Sequence, residues 1–193
     1  RAGQLVTASA TADRFRTDQI TWTDGISPPS PAIRHFIRLT VMHNVRAQLT
    51  IVSQGFYQFS YFMHHRVTQI LDSIVTTANM RPNRGGLAEY DISGRTNAMV
   101  ACYPGQGAHY VRHVDNPNRD GRCITAIYTL TGLESGGKVG VHVICSDELI
   151  NQNDGGALKI YSTYLPGVVA SIDPLFDRVI FFWSDRRNPH EVM

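Results

Sequence analysis

The sequence predicts a mainly β domain, a sandwich or a barrel, preceded by one helix. Short β-prone segments recur through the C-terminal half, and turns rich in Gly, Pro, Asn and Asp separate them. Short strands with such frequent turn signals are typical of antiparallel sandwiches and barrels rather than of a parallel α/β sheet. With 193 residues, the chain is long enough for one such domain with a substantial core. The predicted strands in this half are 98–103, 123–130, 157–163, 168–172 and 179–183.

The N-terminal half is less regular. Residues 19–23 alternate in polarity and end at Asp24-Gly25, which predicts a strand and a turn. The segment 32–65 is aromatic, rich in His and poor in acids, with no clean period, which favours an inserted segment over a core element. A helix is predicted over 67–78, because its apolar residues recur at helical spacing. These residues are Val67, Ile70, Leu71, Ile74 and Val75.

Composition argues against two classes of partner. The 18 Lys and Arg residues nearly balance the 16 Asp and Glu, and a net charge of +2 gives no concentrated basic face for nucleic acid. The longest stretch without charged residues, 47–63, contains several Gln, Ser and Thr and is shorter than a bilayer span. We therefore expect no nucleic-acid partner and no membrane segment, and we expect a monomer.

The cysteines bear on location. There are three, Cys102, Cys123 and Cys145, with no Cys-x-x-Cys pair, which indicates reduced thiols rather than a disulfide framework. This favours a cytoplasmic or nuclear location, or both. The chain opens at Arg1 without Met or a signal peptide, so we expect a fragment.

One short motif indicates a metal site. His113 and Asp115 are two residues apart, so on a strand both side chains point to the same face. His190 is the natural third ligand, and two imidazoles with one carboxylate suit non-haem Fe(II), which needs open positions. The motif alone is weak evidence. A hydrogen-bonded surface pair and a zinc hydrolase with the same three ligands remain alternatives, although no general base for a hydrolase is evident.

The surrounding sequence is more specific. The run SGRTNAMVACYPGQG at 93–107 is followed by YVRHVDNPN at 110–118 and DGRC at 120–123. Further blocks are FDR at 176–178, FFWSDRRNPHEV at 181–192, GQLV at 3–6 and DQITW at 18–22. Together, over roughly half of the chain, they resemble the hypoxia-inducible-factor prolyl hydroxylases, a family of Fe(II)- and 2-oxoglutarate-dependent dioxygenases.

The resemblance implies a fold and an activity. The expected fold is a double-stranded β-helix, or jelly roll, with a flanking helix. The expected reaction is 4-hydroxylation of a proline in a disordered segment similar to that of hypoxia-inducible factor alpha, in oxygen sensing. Fe(II) would be held by His113, Asp115 and His190, with 2-oxoglutarate and O2 as cosubstrates and ascorbate keeping the iron reduced.

Other positions match the family one at a time. Tyr103 matches a phenol beside the metal and the cosubstrate, although it could equally be a packed aromatic residue. Asp18 and Arg122 match a pair that links the substrate loop to the core, and Trp22 matches a loop residue near the bound peptide. For Arg186 and Arg187, a solvated face is favoured over a substrate role. Positions that match the wall of the cosubstrate pocket, and that are also ordinary core residues, are Met99, Ile127 and Leu158.

The sequence also departs from the family. Thr129 stands where a second Tyr is common, and its shorter hydroxyl reaches a cosubstrate carboxylate at best through water. In the family, an Arg on the strand after the distal His pairs with the far carboxylate of 2-oxoglutarate. The given sequence ends at Met193, three residues after His190, so we expect an incomplete cosubstrate site and a missing last core strand. Residues 26–65 and 132–153 are unmatched and are predicted insertions within one domain, 1–193. A faulty gene model, with introns translated and a last exon lost, would explain all of these departures.

Two alternative functions therefore stay open. The chain is either an active hydroxylase or an inactive fragment that keeps the metal but not 2-oxoglutarate. A hydroxylase of another protein, such as a ubiquitin-ligase adaptor or a translation factor, would share the metal core, because loop chemistry sets the choice of peptide.

Overall fold

The computed structural model describes residues 6–7, 15–24, 26, 53–103, 107–129, 156–175 and 178–193. Short strands make up the larger share of the regular secondary structure in these ranges, as the sequence predicts. The elements in chain order are β1 Val6–Thr7, β2 Gln19–Thr23, α1 Ser53–Asn79, a 3-10 helix Gly85–Glu89, β3 Ala98–Cys102, β4 Tyr110–His113, β5 Ile124–Thr129, β6 Leu158–Tyr161, β7 Val168–Ile172, β8 Arg178–Trp183 and β9 His190–Val192.

All the pairings between the described strands are antiparallel. They form three sheets with the orders β1-β2-β3, β4-β9-β6-β7 and β5-β8. The last strand in sequence, β9, is therefore an inner strand, with β4 on one side and β6 on the other. The prediction of a mainly β, antiparallel domain is confirmed. The predicted strands 19–23 and 168–172 match β2 and β7, and the other four differ from the observed bounds by a few residues at most.

The core lies where these sheets face one another. Strand β6 shows how the sequence produces it, because Leu158 and Ile160 are buried while the alternate positions are half-buried, the period of two that a strand imposes. All three sheets contribute side chains to this core. The buried apolar residues are Val100, Ala101, Tyr103, Ile127, Leu158, Ile160, Phe182 and Val192.

The helix α1 is longer than the sequence predicts. The predicted range 67–78 lies inside Ser53–Asn79, so residues 53–65 of the predicted insertion are helical and continuous with the predicted helix. The remainder of that insertion, apart from Ile26, and all of 132–153 lie outside the described residues. On the predicted apolar face, Ile70 and Ile74 are exposed. Within the described ranges, no helix combines the length and the apolar character that crossing a bilayer requires.

The segment after the helix packs on Trp183 of β8, with Tyr90 and Trp183 ring centroids 5.6 Å apart, and one arginine reinforces this contact. Arg187 lies over the Trp183 ring, with its guanidinium carbon 3.8 Å from the ring centroid. It also donates to the Tyr90 hydroxyl at 2.6 Å and to both carboxylate oxygens of Asp185 at 2.9 and 2.7 Å. The expectation that Arg187 belongs to a solvated face is therefore wrong, since a planar cation between an aromatic ring and a carboxylate is a structural contact.

Candidate metal centre

Strand pairing brings the three predicted ligands together. In the β4–β9 register, His113 lies opposite His190, and Asp115 follows two residues after His113. One Asp115 oxygen, Oδ1, lies 3.5 Å from His113 Nε2 and 3.6 Å from His190 Nε2. Each residue offers one possible ligand atom, and these three atoms all lie within 4.8 Å of one another. The pattern of two imidazoles and one carboxylate around a common point is the arrangement that suits Fe(II).

Each imidazole is oriented by its own backbone. His113 Nδ1 lies 2.7 Å from the Val111 carbonyl oxygen, and His190 Nδ1 lies 3.1 Å from the Asn188 carbonyl oxygen. A carbonyl only accepts, so each Nδ1 carries the proton and donates, and each Nε2 presents a lone pair. Metal-bound histidines are held in this same way.

The two Nε2 atoms show that the residues fit a metal. Both are buried and have no hydrogen-bond partner among the described residues. Leaving a buried polar atom unpaired is costly, and two such lone pairs aimed beside one carboxylate are explained by a cation between them. Burial also lowers the pKa of His190, the nearby His113 acts in the same direction, and the Asp115 charge opposes both. His190 is thus held in the neutral form that binds a metal.

An aromatic ring packs against one of the three ligands. Tyr110 stacks on His113, with ring centroids 3.5 Å apart and planes 18° from parallel. Arg16 covers the other face of Tyr110, with its guanidinium carbon 4.2 Å from the ring centroid. An isolated bridge pairs Arg16 with Tyr110, and the amide of Val111 donates to the Phe15 carbonyl at 2.7 Å. The segment before β2 therefore runs beside the strand that carries His113.

Neither Tyr110 nor Arg16 was singled out from the sequence. Tyr110 lies three residues before His113, and in a regular strand two such residues point to opposite faces of the sheet. The sequence therefore provided no reason to expect the two rings to stack. The stack forms because the register of the pair is irregular between them. No sequence signal indicated Arg16 beyond its position two residues before Asp18.

The predicted cosubstrate residues are mostly buried. Ile127 and Leu158 belong to the core, and Met99 packs against it, with its Sδ 3.8 Å from an Arg16 nitrogen. Tyr103 is also buried, and its hydroxyl has no hydrogen-bond partner among the described residues. Burial raises the pKa of Tyr103 well above its usual range, so the hydroxyl keeps its proton and acts as a donor.

Thr129 makes different contacts. It is buried, and its hydroxyl lies against the carbonyl oxygens of Leu175 and Arg178, the second at 3.1 Å. A hydroxyl has one proton to donate, and in Thr129 that proton is directed at backbone acceptors. The side chain thus braces the end of β5 against the start of β8.

The expected contact between Asp18 and Arg122 is not formed. Asp18 is fully buried and receives two hydrogen bonds from Arg16, one of them 2.6 Å from Nε to Oδ1. Arg122 instead donates to Asp120 at an exposed turn. The physical reason is local: in each pair the two residues are only two apart in the chain, so they form an ion pair with little loss of entropy. Trp22 is about half exposed.

The turn that follows Asp115 is held by a buried amide. Asn116 donates from Nδ2 to the Arg122 carbonyl at 2.7 Å, and its Oδ1 accepts from the Asp120 amide at 3.0 Å. Its own amide donates to the Ser184 carbonyl at 2.8 Å. The position of Asp115 thus depends on a closed network next to it.

Asn116→Ala is expected to lower the free energy of unfolding by about 1–3 kcal/mol, because it removes the two hydrogen bonds by which the buried side chain closes the turn. Urea unfolding followed by far-ultraviolet circular dichroism measures this loss. Asn118→Ala is the matched control, since Asn118 is exposed in the same turn. Equal effects of the two substitutions would contradict a role for the buried amide.

Comparison with known proteins identifies the class of this fold and site. Residues 98–193 match the 2OG-Fe(II) oxygenase superfamily. The chain is 38% identical over 191 residues to Egl nine homolog 1 of Homo sapiens, covering 98% of this chain and 33% of that protein. It is 37% identical over 199 residues to the prolyl hydroxylase EGLN3 of Mus musculus, covering 100% of this chain and 59% of the relative.

A solved structure is also similar. It is a prolyl hydroxylase from Trichoplax adhaerens in complex with a hypoxia inducible factor oxygen degradation domain peptide fragment. The TM-score is 0.59 at 33% sequence identity, over 98% of this chain and 63% of that chain. The predicted jelly-roll fold is thereby confirmed.

The chain belongs to the 2OG-Fe(II) oxygenase superfamily, whose members use Fe(II), 2-oxoglutarate and O2. Within it, the chain is homologous to the Egl nine prolyl hydroxylases over nearly its full length. The chain spans 33% and 59% of the length of the two curated relatives described above.

Proposed function

We propose that this chain hydroxylates C4 of a proline in a disordered protein segment, with Fe(II) held by His113, Asp115 and His190. The observation that carries the proposal is the pair of buried, unpartnered Nε2 atoms beside one Asp115 oxygen, in a homologue of prolyl hydroxylases. When bound, Fe(II) would couple the oxidative decarboxylation of 2-oxoglutarate by O2 to hydroxylation, with ascorbate keeping the metal reduced. Three protein ligands on one side leave the other coordination positions for the cosubstrates.

Four further residues would contribute to the cosubstrate site. The Tyr103 hydroxyl donates to the bound 2-oxo acid, since burial keeps it protonated and the described residues give it no other partner. Met99, Ile127 and Leu158 form apolar walls that exclude water. Excluding water strengthens each charge interaction inside the site.

The substrate would approach beside β2 and β4. Phe15 and Trp22 expose 57% and 52% of their surfaces there, and Arg122, paired with Asp120, lies at an exposed turn. Exposed aromatic residues of this kind suit an extended peptide that brings one proline to the metal. A segment similar to that of hypoxia-inducible factor is the substrate we propose, in oxygen sensing, because a similar structure holds such a peptide.

One observation favours a second candidate function. Because the Thr129 hydroxyl is directed at two backbone carbonyls, it does not reach towards a cosubstrate carboxylate. A chain that binds the metal but holds 2-oxoglutarate poorly would then be an inactive metal-binding protein.

The deciding experiment is mass spectrometry of a degradation-domain peptide containing Leu-Ala-Pro, after incubation with the chain, Fe(II), 2-oxoglutarate, ascorbate and air. We expect one added oxygen on the proline, and we expect it to be lost with His113→Ala and with a peptide in which Ala replaces the proline. If the peptide stays unmodified although the chain binds metal, a 2-oxoglutarate titration separates the remaining possibilities. Binding points to another protein substrate, and no binding points to the inactive metal-binding protein.

Tyr103→Phe is expected to raise the KM for 2-oxoglutarate about 5- to 10-fold, the loss of one hydrogen bond of about 1 kcal/mol. The thermal midpoint should stay the same or rise slightly, because the hydroxyl has no partner among the described residues. Steady-state kinetics and differential scanning fluorimetry measure the two quantities. Tyr164→Phe, at an exposed turn, is the control. A lower thermal midpoint with an unchanged KM would contradict this role.

We place the proposed reaction in the cytoplasm or the nucleus, where a free thiol such as that of Cys123 stays reduced. We also propose that the chain acts as a single dioxygenase domain, with 26–65 and 132–153 as insertions.

A further inference from the structure

The two oxygens of Asp115 have different surroundings. Oδ1 faces both histidine Nε2 atoms, at 3.5 and 3.6 Å. Oδ2 accepts a hydrogen bond of 2.5 Å from the Thr125 hydroxyl. A short bond to an ionised acceptor is among the strong hydrogen bonds in proteins. The sheet of β4 and β9 therefore supplies the ligands, while the sheet of β5 and β8 holds the other side of the carboxylate.

The direction of the hydrogen bonds follows from the donors available. An ionised carboxylate only accepts hydrogen bonds, so the Thr125 hydroxyl donates its single hydrogen to Oδ2. The Ser184 hydroxyl lies 2.8 Å from Thr125 Oγ1. With its own proton already donated, Thr125 accepts there, and Ser184 donates. The chain runs from Ser184 to Thr125 to Asp115, and each step polarises the next.

The backbone fixes the outer end of this chain. Ser184 is 2% exposed, its amide donates to the Cys123 carbonyl at 3.0 Å, and its carbonyl accepts from the Asn116 amide at 2.8 Å. In the β5–β8 register Thr125 pairs with Phe182, so Ser184 is its diagonal neighbour on the same face. These bonds fix the main chain that carries the Ser184 hydroxyl beside Thr125.

We propose that Thr125 and Ser184 are positioning residues that keep Asp115 a one-oxygen ligand, an inference that rests on the proposed metal site. With Oδ2 held by Thr125, only Oδ1 points to the metal position. A carboxylate released from Thr125 would rotate and offer both oxygens, which would occupy a coordination position that a cosubstrate needs.

Co(II) alone is the probe, because its d–d absorption bands report coordination number without any need for turnover. Titration of the full chain with Co(II) gives both the affinity and the spectrum. Thr125→Val keeps the shape and removes the hydroxyl, and we expect it to weaken Co(II) binding about 10- to 100-fold and to change the bands. Thr125→Ser retains a hydroxyl and should restore both to wild type within about twofold.

Thr163→Val is the matched control, since it removes an exposed hydroxyl that donates to the Arg186 carbonyl at 2.8 Å. Ser184→Ala serves where Thr125→Val fails to fold, and it should shift the same bands to a smaller extent. Wild-type affinity and bands in both Thr125→Val and Ser184→Ala would overturn the proposal while leaving the metal site intact. Absence of Co(II) binding by the wild-type chain would instead overturn the proposed metal site and this inference with it.

Discussion

His190→Ala is expected to weaken Co(II) or Fe(II) binding more than 100-fold, the largest effect of any single substitution proposed for this chain. A change that removes a ligand should exceed the roughly 10- to 100-fold loss typical for residues that only support ligands. His190 is fully buried and contributes one of the two unpartnered Nε2 atoms. Anaerobic titration or isothermal calorimetry with Co(II) measures the loss.

His109→Ala is the control for this experiment. His109 lies just before β4, and its Nδ1 is 2.9 Å from the Gly107 carbonyl oxygen, away from the three-residue cluster. It should leave metal affinity unchanged. If His190→Ala bound Co(II) as tightly as the wild-type chain, the cluster would not be the metal site.

Arg16→Met should lower the free energy of unfolding by about 3–5 kcal/mol, because it leaves the buried carboxylate of Asp18 without its cation. Asp18 is fully buried and pairs with Arg16 through two hydrogen bonds. Chemical denaturation followed by circular dichroism measures the difference. The double variant Arg16→Met with Asp18→Leu should recover most of the loss, since removing both charges is far less costly than removing one.

Arg122→Met tests whether burial is the cause. Arg122 and Asp120 form a pair with the same spacing, but both are exposed, so their interaction is screened by solvent. We expect no measurable change in the urea midpoint. Equal destabilisation by Arg16→Met and Arg122→Met would show that the loss does not come from an uncompensated buried charge.

The sequence was most informative where one strand decides the geometry. A His and an Asp two residues apart on extended chain must share a face, and His190 arrives by pairing of its strand with β4. The strands with a clear alternation or apolar run were found nearly to their observed bounds. In contrast, β1 and β9 contain two and three residues, too few to show any period.

The remaining parts of the site depend on contacts between strands. Thr125 and Ser184 are 59 residues apart and meet only through the β5–β8 register, which no local pattern encodes. Arg16 was missed for a related reason, since it meets Tyr110 only through an isolated bridge between two segments far apart in the sequence. For Asp18, resemblance predicted a distant partner, but the nearer cation Arg16 forms the pair.

The inner position of β9 means that metal binding would stabilise the folded chain against unfolding and degradation. Because β9 lies between β4 and β6, an ion held by Asp115 and His190 connects segments that are far apart in sequence. Its binding site forms only when the sheet is assembled. Such an ion stabilises the folded state by mass action, by about 2.7 kcal/mol at a free concentration 100 times its Kd. Iron-starved cells would then degrade the chain faster, so both the amount of the protein and its catalytic rate would follow iron availability.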